Sequence, residues 1–255
     1  MINGKAAMIT LKCVEFTVSL ITFLLVYFFS TTLAGFFRAL VAKKMGDDTA
    51  QQAGFLTLNP FAHVDLLGLA FLCLTYFGWS KFVPINSHNI DGSIRSLGIK
   101  TGWRIPKLLC AYFSDSFVYF FIAFSSLIFL ILLFGPEILF VAASMLSCPG
   151  RMSHLFIART FHDHASLTIV IGFILIVLAS LCIIIGILDS IINSCHLGLA
   201  LLAERSPESA MHYGYIAILA PIILILCCAG KLRLIVTALM LYGGWFVARL
   251  LGLVG

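Results

Sequence analysis

The sequence predicts an all-α integral membrane protein of about five to six transmembrane helices, with a re-entrant or looped segment after the first. Three observations carry that prediction. Hydrophobic residues make up 61% of the chain and charged residues 11%, whereas an ordinary globular domain is about half apolar and about a quarter charged. The mean hydropathy is +1.09, so lipid rather than water solvates most of the chain. Long apolar runs alternate with short polar stretches that hold the Lys and Arg residues, the pattern of spanning helices joined by topology-setting loops.

At 255 residues, a single membrane-embedded domain over 1–255 is the default expectation. The net charge of +5 is spread over inter-helix loops and forms no basic patch. The expected partner is therefore the lipid bilayer and not nucleic acid. The eight cysteines, Cys13, Cys73, Cys110, Cys148, Cys182, Cys195, Cys227 and Cys228, lie almost entirely in apolar runs with no C-x-x-C pair. They read as small hydrophobes, neither disulfide staples nor zinc ligands.

The first span is expected over 16–42, stopped by Lys43, Lys44 and Gly46. Its start, with Lys5 and Lys12 ahead of the apolar run, has the outline of a secretory signal. The run from Phe16 to Ala34 is long for a signal core, however, and the helix is expected to continue past Ala34. A turn-rich segment over 46–65 follows. The apolar run Leu66 to Trp79 is about 14 residues where about 20 are needed to cross. Positive residues flank it on both sides, Lys43 and Lys44 before and Lys81 to Lys107 after, so it reads as a re-entrant or tilted buried segment.

The next strong span is 105–135, with Asp115 near its start, and 138–146 is too short to cross. A loop over 151–164 carries His154, Arg159, His162, Asp163 and His164, and reads as solvated. The apolar stretch 167–203 is either one long helix or two helices broken near Gly186 or Gly198. Two further apolar runs, 215–229 and 232–254, close the chain. Gly243 and Gly244 suggest close helix packing, since no phosphate-loop or dinucleotide pattern surrounds them.

The segment Gly46 to Gly68, GDDTAQQAGFLTLNPFAHVDLLG, with FGWSKFVPIN at 77–86, carries a specific resemblance. Gly46, Asp47, Thr49 and Ala50 match a G-D-x-T-A pattern. Leu56, Thr57, Leu58, Asn59, Pro60, His63 and Asp65 match L-T-L-N-P-x-x-H-x-D. Gly78, Trp79, Lys81, Val83, Pro84 and Asn86 match most of G-W-A-K-P-V-P-V-N. In these residues the chain resembles the compact bacterial branch of the site-2 protease family of intramembrane zinc metalloproteases. The resemblance implies that family's membrane fold, a place in the bacterial cytoplasmic (inner) membrane, and transmembrane segments of other membrane proteins as partners.

In that family an H-E-x-x-H signature precedes the glycine of the first block, its first His by twelve residues. Counting back from Gly46 places it on Ala34, Gly35, Phe36, Phe37 and Arg38. The chemistry needs two His one helical turn apart to ligate zinc, and a carboxylate to activate the bound water. None of the three is present, so no catalytic residue and no bound zinc is expected. The family's third ligand, an Asp, maps at or near Glu208 if Asn193 matches the Asn of the preceding helix.

The polar residues of the apolar segments form the candidate cluster: Arg38, Asp189, Asn193, His196 and Glu208. Asp189, Asn193 and His196 fall at i, i+4 and i+7, on one helix face. Intramembrane ionisable groups serve either function or helix–helix hydrogen bonding. Arg38 either snorkels toward the interface with Lys43 and Lys44 or is buried as a replacement for the lost dication, with Asp189 as its first expected partner and Glu208 its second. Asp115 and Glu15 are expected at the interface. Asn59, Pro60, His63 and Asp65 read as a hydrogen-bonded turn that satisfies backbone groups at membrane depth.

The leading functional expectation is a non-catalytic homologue, or pseudoprotease, that binds or regulates other membrane proteins. One alternative is an active intramembrane metalloendopeptidase using unorthodox ligands such as His63, His196 and Glu208. Another is a small transporter or channel with a path lined by Asp189, Asn193 and His196.

Overall fold

The computed structural model describes residues 2–75, 78–90, 93–94, 99–100, 104–147, 166–206, 231 and 234–253. Within them the chain is an all-α membrane protein. Helix α1 covers Ile2–Met45, α4 Arg104–Phe134 and α6 Ser166–Arg205. Their apolar parts, Phe16–Met45, Arg104–Phe134 and Leu167–Glu204, are each long and apolar enough to cross a membrane, because about 20 residues at 1.5 Å each span the apolar layer. A shorter apolar helix, α7, covers Leu234–Leu250. The shorter helices α2 (Thr49–Gln52), α3 (Leu66–Thr75) and α5 (Ile138–Ser147) lie between the long ones. A two-residue antiparallel pair, β1 (Ser93–Ile94) with β2 (Ile99–Lys100), sets Ser93 opposite Lys100 and Ile94 opposite Ile99.

Of the five to six crossings expected, the described residues contain these three long helices and α7, and the run 215–229 lies outside them. The 151–164 histidine loop and Glu208 also lie outside. The stretch 167–203 forms one helix with no break at Gly186 or Gly198. Gly186 is instead a contact point, where an added Cβ would come 3.2 Å from Tyr119 Cβ and from the Phe120 ring.

The chain forms two compact units. The first joins Met1–Tyr27, Phe121–Ile184 and Gly230–Gly255. In it, Gly172 makes room for the Phe134 ring and Gly244 for Leu139, while the Ser180 hydroxyl donates back to the Ile176 carbonyl at 2.7 Å. The expected close packing therefore falls on Gly244. Gly243 has no neighbour within 4 Å of the place its Cβ would take.

The second unit, Phe28–Phe120 with Ile185–Ala229, holds the looped segment. Helix α1 ends where Gly46 adopts φ 108°, with Asp47 N–H donating to the Ala42 carbonyl and Gly46 N–H to Lys43. This pair of bonds closes the free carbonyls of the last turn and needs a left-handed residue that glycine supplies without a Cβ clash. Gly54, at φ 82°, repeats the arrangement after α2, with Phe55 N–H on the Ala50 carbonyl.

The turn residues that follow each cap something. Asn59 Oδ1 accepts from Phe61 N–H at 3.1 Å over the short 3-10 turn Pro60–Ala62, and Asp65 Oδ1 accepts from Gly68 N–H at 2.7 Å at the start of α3. Val64 then bridges to Ser80, with Lys81 N–H on the His63 carbonyl at 2.8 Å. The ten-residue α3 is therefore a doubled-back arm too short to cross. It lies so close to the returning chain that any Cβ on Gly68 would overlap the Trp79 carbonyl.

Asp47 is fully buried and fastens the far end of the loop to the end of α1. Its Oδ1 accepts from Thr49 N–H at 3.1 Å, the Thr49 hydroxyl at 2.5 Å and Asn89 Nδ2 at 2.9 Å, and its Oδ2 from Asn86 N–H at 2.7 Å. Phe55 and Val83 pack on Ala39 and Ala50, and Ile90 packs on Leu108, Ala111 and Tyr112.

Two expected outcomes follow. Asp47→Ala should lower stability in detergent by about 2–3 kcal/mol, since a hydrogen bond to a charged group contributes roughly that much and several are lost. It should also open 46–90 to limited proteolysis before the long helices, and an uncut segment at an unchanged melting temperature would contradict the clamp. The second outcome concerns His63, where burial pushes the imidazole below the ordinary 6.5, with Lys81 adding to the shift and the Thr57 carbonyl opposing it. A folded value below the unfolded one means that the contribution of neutral His63 is complete above about pH 6.5 and is lost as pH falls through the folded value. The melting temperature should therefore fall more steeply in mild acid for the unmodified chain than for His63→Gln, and parallel profiles would exclude the effect.

Candidate functional site

The face of α1 that carries Ala34, Gly35 and Arg38 is buried in the second unit: Ala34 is 0% exposed and Arg38 is 2% exposed. A guanidinium stays charged at any working pH, so burying it demands a counter-charge and acceptors for its N–H groups. Nη1 of Arg38 donates to Asp115 Oδ2 at 2.5 Å and to Asn193 Oδ1 at 2.6 Å. Asn193 Nδ2 donates onward to Asp115 Oδ1 at 3.0 Å and to the Ser116 hydroxyl at 3.5 Å, and Ser116 N–H also meets Asp115 Oδ1, at 2.8 Å. One residue from each of α1, α4 and α6 thus closes a hydrogen-bonded triangle. The guanidinium carbon lies 5.0 Å from the centre of the Phe82 ring and 5.9 Å from that of Tyr112, an arrangement that favours a cation over aromatic faces.

The partner of Arg38 is therefore Asp115, and the expected pairing with Asp189 is corrected, as is the interfacial place expected for Asp115. The reason is helical phase and depth. Asp115 is about three turns inside α4, 5% exposed, on the side that meets α1 and α6. Asp189 lies one turn before Asn193 and is buried, 7% exposed. His196, one turn after Asn193, stands edge-on to Phe82 with ring centres 4.4 Å apart. Arg38 and Asn193 of the expected cluster are joined directly, and Asp189 and His196 flank them.

His63 occupies the space beside Gly35. Its Nε2 lies 2.8 Å from the Thr57 carbonyl oxygen, which makes that nitrogen the N–H donor, and Phe55 packs beside the ring at 5.8 Å between centres. Any Cβ on residue 35 would overlap His63 Nδ1. Glycine is required here by this close approach.

The site does not fit a zinc ion. Ala34 and Gly35 carry no ligand atom, Arg38 is a cation, and both oxygens of Asp115 already accept hydrogen bonds. Among the described residues no three His, Cys, Asp or Glu side chains converge to hold a metal ion. Of the residues offered as unorthodox ligands, His63 has its Nε2 on the Thr57 carbonyl, His196 stands edge-on to Phe82, and Glu208 lies outside the described residues.

No family model matches the chain, and no solved structure matches it. A stretch of 57 residues is 44% identical to a protein of Bacillus subtilis (strain 168) described as "Putative zinc metalloprotease YwhC". The match covers 22% of this chain and 26% of that relative, about a quarter of the relative's length. Over that stretch the chain is related to a metalloprotease-like protein.

Proposed function

We propose that the chain is a non-catalytic homologue of the site-2 protease family that binds or regulates other membrane proteins in the bacterial cytoplasmic membrane. The observation that carries this reading is the buried Arg38–Asp115–Asn193 triangle. It stands where the resemblance places the second zinc-binding histidine, and it uses a fixed cation where a protease needs an exchangeable dication and a water-activating carboxylate. The side chain that would carry the base is absent at Gly35, and His63 fills its place. With its hydrolytic parts replaced by packing, the fold retains helices and a looped arm whose outer residues, such as Phe61 at 77% exposed and Leu66 at 80%, face outward. Those residues suit contact with transmembrane segments of other proteins.

Metal analysis of the full chain, purified without chelator, should find far less than one zinc per chain. Photo-crosslinking from a benzoyl-phenylalanine at position 61 in native membranes should capture intact membrane proteins. Stoichiometric zinc lost on mutating His63 or His196, or capture of freshly cut fragments, would sink the reading in favour of an active protease.

A mutant cycle tests the triangle itself. Arg38→Met strands a buried carboxylate and should destabilise by about 3–5 kcal/mol, whereas Arg38→Met combined with Asp115→Asn should recover much of that loss. Strictly additive losses in detergent melts would deny the ion pair its structural role.

A further inference from the structure

Two carboxyl groups and one cation lie buried in the apolar helices of the second unit. Arg38, 2% exposed, is the one buried Lys or Arg among the described residues, while Asp115 and Asp189 are 5% and 7% exposed. Arg38 is paired with Asp115, whose oxygens also take Asn193 Nδ2 and Ser116 N–H. Donors on both oxygens favour the ionised form, so Asp115 is a carboxylate. Asp189 has no such set. It follows a buried apolar stretch of α6 that includes Ile184, Ile185 and Leu188. Among the described residues no donor reaches its Oδ2, and no Lys, Arg or His nitrogen forms an ion pair with it. The charged groups whose fields reach it are Asp115 on α4 and Arg38 on α1. The first repels a second negative charge, and the charge of the second is already matched. Of the other titratable groups nearby, His196 stands edge-on to Phe82 two turns along α6, and Lys81 of the returning loop is exposed with Nζ 5.6 Å from the centre of the Phe55 ring.

An isolated carboxylate in an apolar interior is so costly that the group takes up a proton instead, and where two carboxyl groups share one site the less well-paired of them keeps its proton. We infer that Asp189 is a proton-binding site within the membrane, a neutral carboxylic acid at neutral pH beside an Arg38–Asp115 pair that stays ionised. The buried cluster of Arg38, Asp115 and Asp189 is then electrically neutral, whereas an ionised Asp189 would leave it with a net negative charge. The bound proton also gives Asp189 an O–H donor that a carboxylate lacks. Helix α6 thus carries two different polar groups one turn apart. Asn193 fixes the triangle, and Asp189 holds the proton that the cluster can gain or lose, because the guanidinium keeps its own at any working pH. Loss of that proton sets two carboxylates in competition for Arg38, which couples the protonation of Asp189 to the triangle joining α1, α4 and α6.

Infrared spectroscopy of the full chain in detergent tests the site, because the C=O stretch of a carboxylic acid stands apart from the amide and carboxylate bands and shifts in heavy water. At about pH 7 solvated Asp and Glu side chains, with ordinary values of about 3.9 and about 4.3, are ionised and contribute no such band. The unmodified chain should nonetheless show one. Asp189→Asn, which keeps the shape and the neutrality of the acid, should fold and lose that band, while Glu204→Gln, at an exposed ion pair, should retain it. A spectrum of the unmodified chain without a carboxylic acid band overturns the inference with no variant needed, and a band that persists undiminished in folded Asp189→Asn overturns it as well.

Discussion

A guanidinium buried among apolar helices is the constraint from which the rest of this structure follows. Arg38 carries a charge that it cannot shed, and the desolvation of such a group is offset only when a carboxylate and good acceptors meet it with good geometry. Asp115 and Asn193 supply both, from α4 and α6, and Ser116 completes the set. Nη1 of Arg38 meets both partners at once and Asn193 ties back to Asp115, so the three helices are held in one rotational register in this unit. Packing of Leu and Ile side chains alone specifies register weakly, since one apolar ridge resembles the next.

The looped segment is organised on a different principle. Its polar residues do not face one another across a site but cap local backbone: Asn59 the short 3-10 turn, Asp65 the start of α3, and Asp47 the two ends of the loop. This is what an irregular chain requires where water is scarce, because each unpaired backbone group there costs several kcal/mol, about as much as a lost hydrogen bond in an apolar medium. The loop and the α1 cluster meet at Gly35, where the lack of a side chain admits His63 against the helix. The position that the resemblance assigns to a catalytic glutamate is here a packing contact.

Much of this was legible in the sequence. The first two long helices, the stop at Gly46, a run from Leu66 too short to cross and the lack of any zinc ligand at positions 34, 35 and 38 follow from apolar run lengths, from glycine and from side-chain chemistry, while the sequence left 167–203 open between one helix and two. Asp115 was the residue that sequence reasoning misplaced. A signal was present, since it lies between Ser114 and Ser116 well inside a helix that begins at Arg104, but distance to the end of an apolar run is a poor guide to depth when the polar group faces another helix.

The residue types and their order by themselves determined that this chain is helical and membrane-embedded and that positions 34, 35 and 38 offer no zinc ligand, while leaving Arg38 open between the interface and burial. Those properties are local, set by hydropathy over about 20 residues and by what each side chain can donate or accept. The choice of Asp115 over Asp189 as the partner of Arg38 was made only by the tertiary structure. Both carboxylates lie on apolar helices, and nothing in the order of residues says which helical face meets α1. That is decided by how α4 and α6 rotate as Asn193 closes the triangle.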